Sequence, residues 1–175
     1  MKILSLLKKA STLLVIVKPM KYAKVISATA KEISGKKVVY ITINKTFPSL
    51  KELFESNGVD ISGFVFIDAI TKTIKNTPDF TDGCYFVSSP EALTEMAIAI
   101  TKVLRHGFDY VVFDSLSNLL TYKDKNSVIR FFSSIIAKVK SNNAKGIFYV
   151  LDVGEQDIII KETATFVDKV IKLGK

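Results

Sequence analysis

A chain of 175 residues, 48% apolar and 24% charged, has the size and composition of one globular domain with a full hydrophobic core. No run reaches the roughly 18–20 apolar residues of a membrane span. The opening "MKILSLLKKASTLLVIV" is broken by Lys8 and Lys9 with no small-residue cleavage site after it, so a cytoplasmic protein without membrane association is expected.

The single Cys84 excludes an intramolecular disulfide and reads as a buried, inert thiol. The net charge of +8 rests on lysines spread through the chain, with Arg105 and Arg130 the only arginines. Phosphate recognition leans on arginine, so this surplus reads first as a solvated surface, and second as an anion-binding one.

In chain order, "LLVIV" (Leu13–Val17) reads as a buried strand that runs directly into a helical pattern reaching Ile33. "KVVYITI" (Lys37–Ile43) is a second strand, and "SLKELFESNG" a short helix stopped at Asn57 and Gly58. "FVFIDA" (Phe64–Ala69) is a third strand. Polar residues from Thr71 to Asp82, with Pro78 among them, read as a long connection.

"CYFVSS" then leads into "SPEALTEMAIAITKVL". Here Ser89 is the expected N-cap, Pro90 the first helical residue and Glu91 part of the first turn. Leu93, Met96, Ala97, Ile100, Val103 and Leu104 recur at helical spacing, and Gly107 ends the element. "YVVFDS" (Tyr110–Ser115) is the next strand. The helix after it is capped by Asp124 and buries Val128, Phe131, Phe132, Ile135, Ile136 and Val139. "GIFYVLD", an amphipathic helix near Ile158–Phe166, and "KVIKL" complete the chain.

The strands are nearly continuous apolar runs, the pattern of strands covered on both faces. The expected architecture is therefore α/β: a three-layer sandwich with a mostly parallel central sheet, as one domain over residues 1–175.

Ligands of an open parallel sheet sit beyond the carboxyl ends of its strands. The polar residues there are Lys18, Asn44 and Lys45, Asp68, Ser88, Asp114 and Ser115, and Asp152. Asp68 and Asp152 read as turn and cap residues. His106 has neither a Cys nor a second His beside it and reads as a helix-end residue. Asp114 differs, because a buried strand delivers its carboxylate next to a hydroxyl.

"YVVFDSLSNLL" resembles the Walker B strand of RecA-like P-loop ATPases, in particular the archaeal KaiC-like and RadA-like branch, where an apolar strand ends in Asp-Ser. "VVYITIN" occupies the place of that branch's "Y-[IV]-[ST]-x-E" strand, and "GIFYVLD" that of the strand after Walker B. The resemblance implies a RecA-like core. It also implies a phosphate loop after the first strand, and a magnesium ion held at Asp114 on nucleotide phosphates.

Set against G-x-x-x-x-G-K-[ST], "KPMKYAKV" puts Lys18 and Ala23 at the two glycines, Lys24 at the lysine and Val25 at the Ser/Thr. Only the lysine survives. Asn44 stands where the branch carries its catalytic glutamate, and an amide cannot take a proton from water.

The resemblance thus implies a degenerate KaiC-like relative with no catalytic residues, working as a regulatory or protein-interaction module. Its expected partner is a copy of itself or an active KaiC-like ATPase. No cofactor is expected beyond weak ATP or ADP with Mg2+. The alternative is a nucleotide- or anion-binding domain whose site is Lys18, Lys21, Lys24, Asn44, Asp68, Asp114 and Ser115, with Asp114 as the metal residue. Nucleic-acid binding is a weaker third option, lacking arginine clusters and interleaved aromatics.

Overall fold

The computed structural model describes residues 2–154 and 157–173. Eight strands form one sheet: β1 (Thr12–Val17), β2 (Val38–Thr42), β3 (Phe64–Asp68), β4 (Phe80–Thr81), β5 (Cys84–Phe86), β6 (Tyr110–Asp114), β7 (Lys145–Leu151) and β8 (Lys169–Leu173). Their spatial order is β4-β5-β3-β2-β6-β7-β1-β8. Every neighbouring pair is parallel except β4 with β5. The α/β sandwich with a mostly parallel sheet is therefore the observed architecture.

The alternation of side chains along each strand feeds two separate cores. Leu13, Val15, Tyr40, Val112, Ile147 and Tyr149 face a layer of three helices: α1 (Ile3–Leu7), α2 (Tyr22–Glu32) and α3 (Phe47–Ser56). Leu14, Val39, Ile41, Phe113, Phe148 and Val150 face the opposite layer. That layer holds α5 (Leu93–Leu104), α6 (Leu116–Leu119), α7 (Lys125–Ser141) and α8 (Asp157–Ala164). A strand buried on both faces has no polar side to show, which is why its sequence reads as an unbroken apolar run.

The elements are closed by local chemistry. Asp124 accepts from the Ser127 amide at 2.9 Å and starts α7, whose six expected core residues are all buried. Gly58 and Gly107 end α3 and α5 with φ of +66° and +73°, a region open to glycine at no steric cost. Asp168 ties β8 to β1. Its carboxylate accepts from the Ser11 and Thr12 amides at 2.8 and 2.9 Å and from Lys140 at 2.8 Å, which holds its pKa down at about 2.

Three details differ from the sequence reading. The 71–82 connection contains a short helix, α4 (Thr71–Ile74), and β4 at the sheet edge. A further helix, α1, precedes β1. And α5 begins at Leu93, not at Pro90, because Ser89–Ala92 closes as a turn of its own through Ala92 N–H to Ser89 C=O at 3.1 Å. Glu95 then reaches back to accept from the Ser88 amide and hydroxyl. Cys84 is fully buried and burial pushes its thiol pKa up, while His106 lies exposed beyond the end of α5. Among the described residues no helix is long and apolar enough to cross a membrane.

Among the described glycines outside the strands, Gly63 has the closest backbone neighbour. A Cβ there would stand 2.3 Å from the Lys36 carbonyl oxygen, while the Gly63 carbonyl accepts from Val38 where β2 begins. Backbone cannot step aside as a side chain can. Gly63→Ala is expected to lower unfolding stability by about 1–3 kcal/mol, read as a shifted urea midpoint at unchanged slope.

Candidate functional site

The parallel register brings the ends of β2, β3 and β6 into one row, with Thr42 paired to Asp68 on one side and to Asp114 on the other. The candidate residues then separate into three groups.

Asp68 is spent on structure. Its buried carboxylate accepts from the Phe47 amide at 2.6 Å, the Ile70 and Thr71 amides at 2.7 and 2.8 Å, and the Thr71 hydroxyl. It thereby anchors the starts of α3 and α4. Asp152 is likewise engaged, in an ion pair with Lys172 at 2.7 Å. Asp68 has the capping and turn role read from the sequence, whereas Asp152 is held by a cation from β8.

Lys18, Lys21 and Lys24 are all exposed and form no ion pair among the described residues. They surround the turn between β1 and α2. Lys18 is extended, as a residue before proline must be, and Pro19–Lys21 forms one tight 3-10 turn. Inside that turn the Lys21 amide donates to the Lys18 carbonyl at 2.9 Å and the Tyr22 amide to the Pro19 carbonyl. A phosphate nest needs those amides pointing outward. Here two of them are consumed by the turn, and Pro19 has none to offer.

Asn44, Asp114 and Ser115 do converge. Ser115 is buried; its hydroxyl donates to Asn118 Oδ1 at 2.5 Å and accepts from the Asn118 amide, capping α6. The Asn118 side chain reaches Asn44 at 3.5 Å. Next along the chain, the Ser117 hydroxyl accepts from the Leu151 amide at 2.7 Å, so α6 is fastened to the end of β7.

Asp114 is the centre of the group, with no exposed surface. The Tyr22 hydroxyl donates to one carboxylate oxygen and the Tyr40 hydroxyl to the other, at 2.8 Å for Tyr40. Tyr22 is the first residue of α2, and Tyr40 lies in β2, two residues before Thr42 on the same face. Tyr149 of β7 flanks the cluster, its hydroxyl beside Thr29 but without a partner at full hydrogen-bond geometry. Neither Tyr22 nor Tyr40 belonged to the expected site. The signal for Tyr40 is present in hindsight, as it opens the "YITIN" match, whereas Tyr22 reads only as a bulky residue in a loop.

Opposing effects set the charge of this carboxylate. Burial raises the Asp114 pKa, the hydrogen bonds from Tyr22 and Tyr40 and the charge of half-buried Lys45 lower it, and the balance lies at about 6. Burial, followed by the adjacent carboxylate, pushes the Tyr22 and Tyr40 hydroxyls well above their ordinary range. At neutral pH the group is a carboxylate clamped by two phenols that stay protonated. It holds α2, β2 and β6 together, and it offers no solvent-facing base or nucleophile.

The nucleotide and magnesium ion that the sequence resemblance implies do not fit these residues. Both Asp114 oxygens are taken and sealed from solvent, Val25 has no hydroxyl, and the Lys21 and Tyr22 amides are bonded within the turn. Among the described residues no group of three or more His, Cys, Asp or Glu is placed to hold a metal.

The raised Asp114 pKa has a definite sign. A carboxyl that binds its proton more tightly folded than unfolded adds stability below its unfolded pKa and loses it as pH rises through the folded value. The stability difference between wild type and Asp114→Asn is expected to fall by up to about 3 kcal/mol between pH 4 and 7. Urea unfolding of both proteins across that range measures it. Asp168, held at about 2, works in the opposite direction and is lost only in stronger acid; it cancels from the difference. A flat difference would show that burial does not control Asp114.

Comparison with known proteins adds the fold and the family. No curated protein sequence matches the chain. Among solved structures, the KaiC-like protein PH0186 from the hyperthermophilic archaeon Pyrococcus horikoshii superposes with a TM-score of 0.68 at 11% identity, over 94% of this chain and 72% of that one. At that identity the likeness is one of fold: this is a KaiC-like RecA fold. The family model described as "Family of unknown function (DUF7504)" matches residues 29–173, so the chain belongs to the DUF7504 family.

Proposed function

We propose that the protein is a non-catalytic relative of the KaiC-like ATPases that acts through protein contacts, as a regulatory module. The observation that supports this is the occupation of Asp114. The carboxylate that would meet magnesium is hydrogen-bonded on both oxygens by Tyr22 and Tyr40 and has no exposed surface. A metal would have to displace Tyr22 and open the start of α2 to reach it. A carboxylate so enclosed is committed to joining α2, β2 and β6, and a fold that has given up its chemistry can keep its surfaces for binding. The partner is another copy of the chain or an active KaiC-like ATPase.

The rival reading, weak anion or nucleotide docking, is favoured by the exposure of Lys18, Lys21 and Lys24 at the head of α2. One titration addresses both. The melting temperature is expected to stay unchanged in millimolar ATP or ADP, with or without magnesium. A site holding nucleotide at a hundredfold excess over its Kd would add about 3 kcal/mol. A rise with Mg–ATP that Lys24→Ala and Asp114→Asn both remove would sink the non-catalytic reading. Light scattering over a wide concentration range tests self-association, and a strict monomer leaves the heterologous partner.

A further inference from the structure

Lysines occur along the whole sequence, but their excess over acids does not. The first 31 residues contain seven lysines and no Asp or Glu, while the other 144 hold 18 basic and 17 acidic residues. Nearly all of the net charge therefore belongs to the stretch from Lys2 to Lys31, with Lys24 and Lys31 on α2 and the other five lysines in the turns around α1, β1 and the start of α2.

On α2 this charge is ordered. Lys21, which immediately precedes the helix, Lys24, Ala28 and Lys31 are spaced by three, four and three residues, the repeat of one helical face, and all four are exposed. At the helical rise, ten residues make this stripe about 15 Å long. Lys18 and the 93% exposed Met20 stand at its head. None of these lysines has an acidic partner among the described residues, and Glu32, the first acid of the chain, is engaged with the Leu4 amide. The other side of α2 is buried through Tyr22, Ile26, Ser27, Thr29 and Ala30.

We propose that the outer face of α2 is the docking surface for an acidic helix of a partner protein. This rests on the reading of the chain as a protein-contact module and names the chemistry of its partner. A second helix laid along α2 presents glutamates at the same three-and-four spacing, and the small Ala28 leaves room for close approach at the middle of the stripe. Phosphate backbones fit less well. The stripe has no arginine for bidentate contact and no exposed aromatic for a base to stack on. A membrane surface fits less well because an interfacial helix must sink an apolar face, and that of α2 is already in the core. A second copy of this chain fits less well because no helix among the described residues carries more than two acidic residues.

The test uses the full chain and a labelled helical peptide of about three heptads with glutamates along one face. Binding by fluorescence anisotropy should weaken with salt. The triple variant Lys21→Glu, Lys24→Glu, Lys31→Glu should lose roughly tenfold or more in affinity. The exposed control triple Lys75→Glu, Lys161→Glu, Lys169→Glu makes the same change in net charge and should leave binding unchanged. Ala28→Trp, which alters no charge, should also weaken binding. Absence of peptide binding, equal loss in the two triple variants, or an Ala28→Trp protein that binds as well as wild type would each overturn the proposal. So would tighter binding of duplex DNA or of phosphatidylserine vesicles than of the peptide. Nucleotide stabilisation, measured separately, would sink the non-catalytic reading alone.

Discussion

One buried carboxylate organises the centre of the sheet's carboxyl edge. Asp114 ends the central strand β6 with no exposed surface, and an unpaired carboxylate there would be among the most costly groups a domain of this size could hold. The two phenolic hydroxyls make it tolerable, because each donates one hydrogen bond to a different oxygen. Hydrogen bonds to a charged acceptor are stronger than neutral ones, and they bring the pKa back to about 6 against the opposing pull of burial. The donors come from β2 and the start of α2, so satisfying one side chain fixes where a helix begins and how two strand ends stand.

The same interaction decides what the sheet edge can do. A phosphate-binding turn must leave its amides free and its carboxylate reachable. Here the turn spends the Lys21 and Tyr22 amides on its own carbonyls, and Tyr22 with Tyr40 occupies the carboxylate. The absence of glycine from this turn and the position of Tyr22 go together. The tight Pro19–Lys21 turn sets the start of α2 where the Tyr22 hydroxyl reaches Asp114 at the end of β6.

Much of the fold was legible because its causes are local. Continuous apolar runs marked the buried strands, and the spacing from Val128 to Val139 marked the inner face of α7. What escaped depended on distance. The two-residue β4 has no pattern of its own and exists only because β5 lies beside it. The start of α5 lies later than Pro90 because Ser89–Ala92 closes as its own turn, with Glu95 bonded back to Ser88 across it. Within the site, Asp114, Asn44 and Ser115 could be placed from strand ends alone. Tyr22 could not, as its partner lies 92 residues away and only the order β2-β6-β7-β1 brings them together. Tyr40 was hidden differently. In "VVYIT" a tyrosine looks like one more core residue, and its hydroxyl acquires meaning only when Thr42 pairs with Asp114.

Helix α2 joins the two halves of this picture. Its inner side, beginning at Tyr22, is fastened to the sheet by the Asp114 hydrogen bond and by Ile26 and Ala30 in the core. Its outer side carries Lys21, Lys24 and Lys31 in a row. Like charges along one face repel and favour fraying when a helix stands alone. An anchored first turn opposes that, so the lysines keep their spacing without needing counter-charges from within the chain. Preorganised charge of this kind loses less entropy when a complementary surface arrives. One helix thus serves two ends: its buried side closes over the carboxylate at the strand ends, and that anchorage holds the lysines of its exposed side in register.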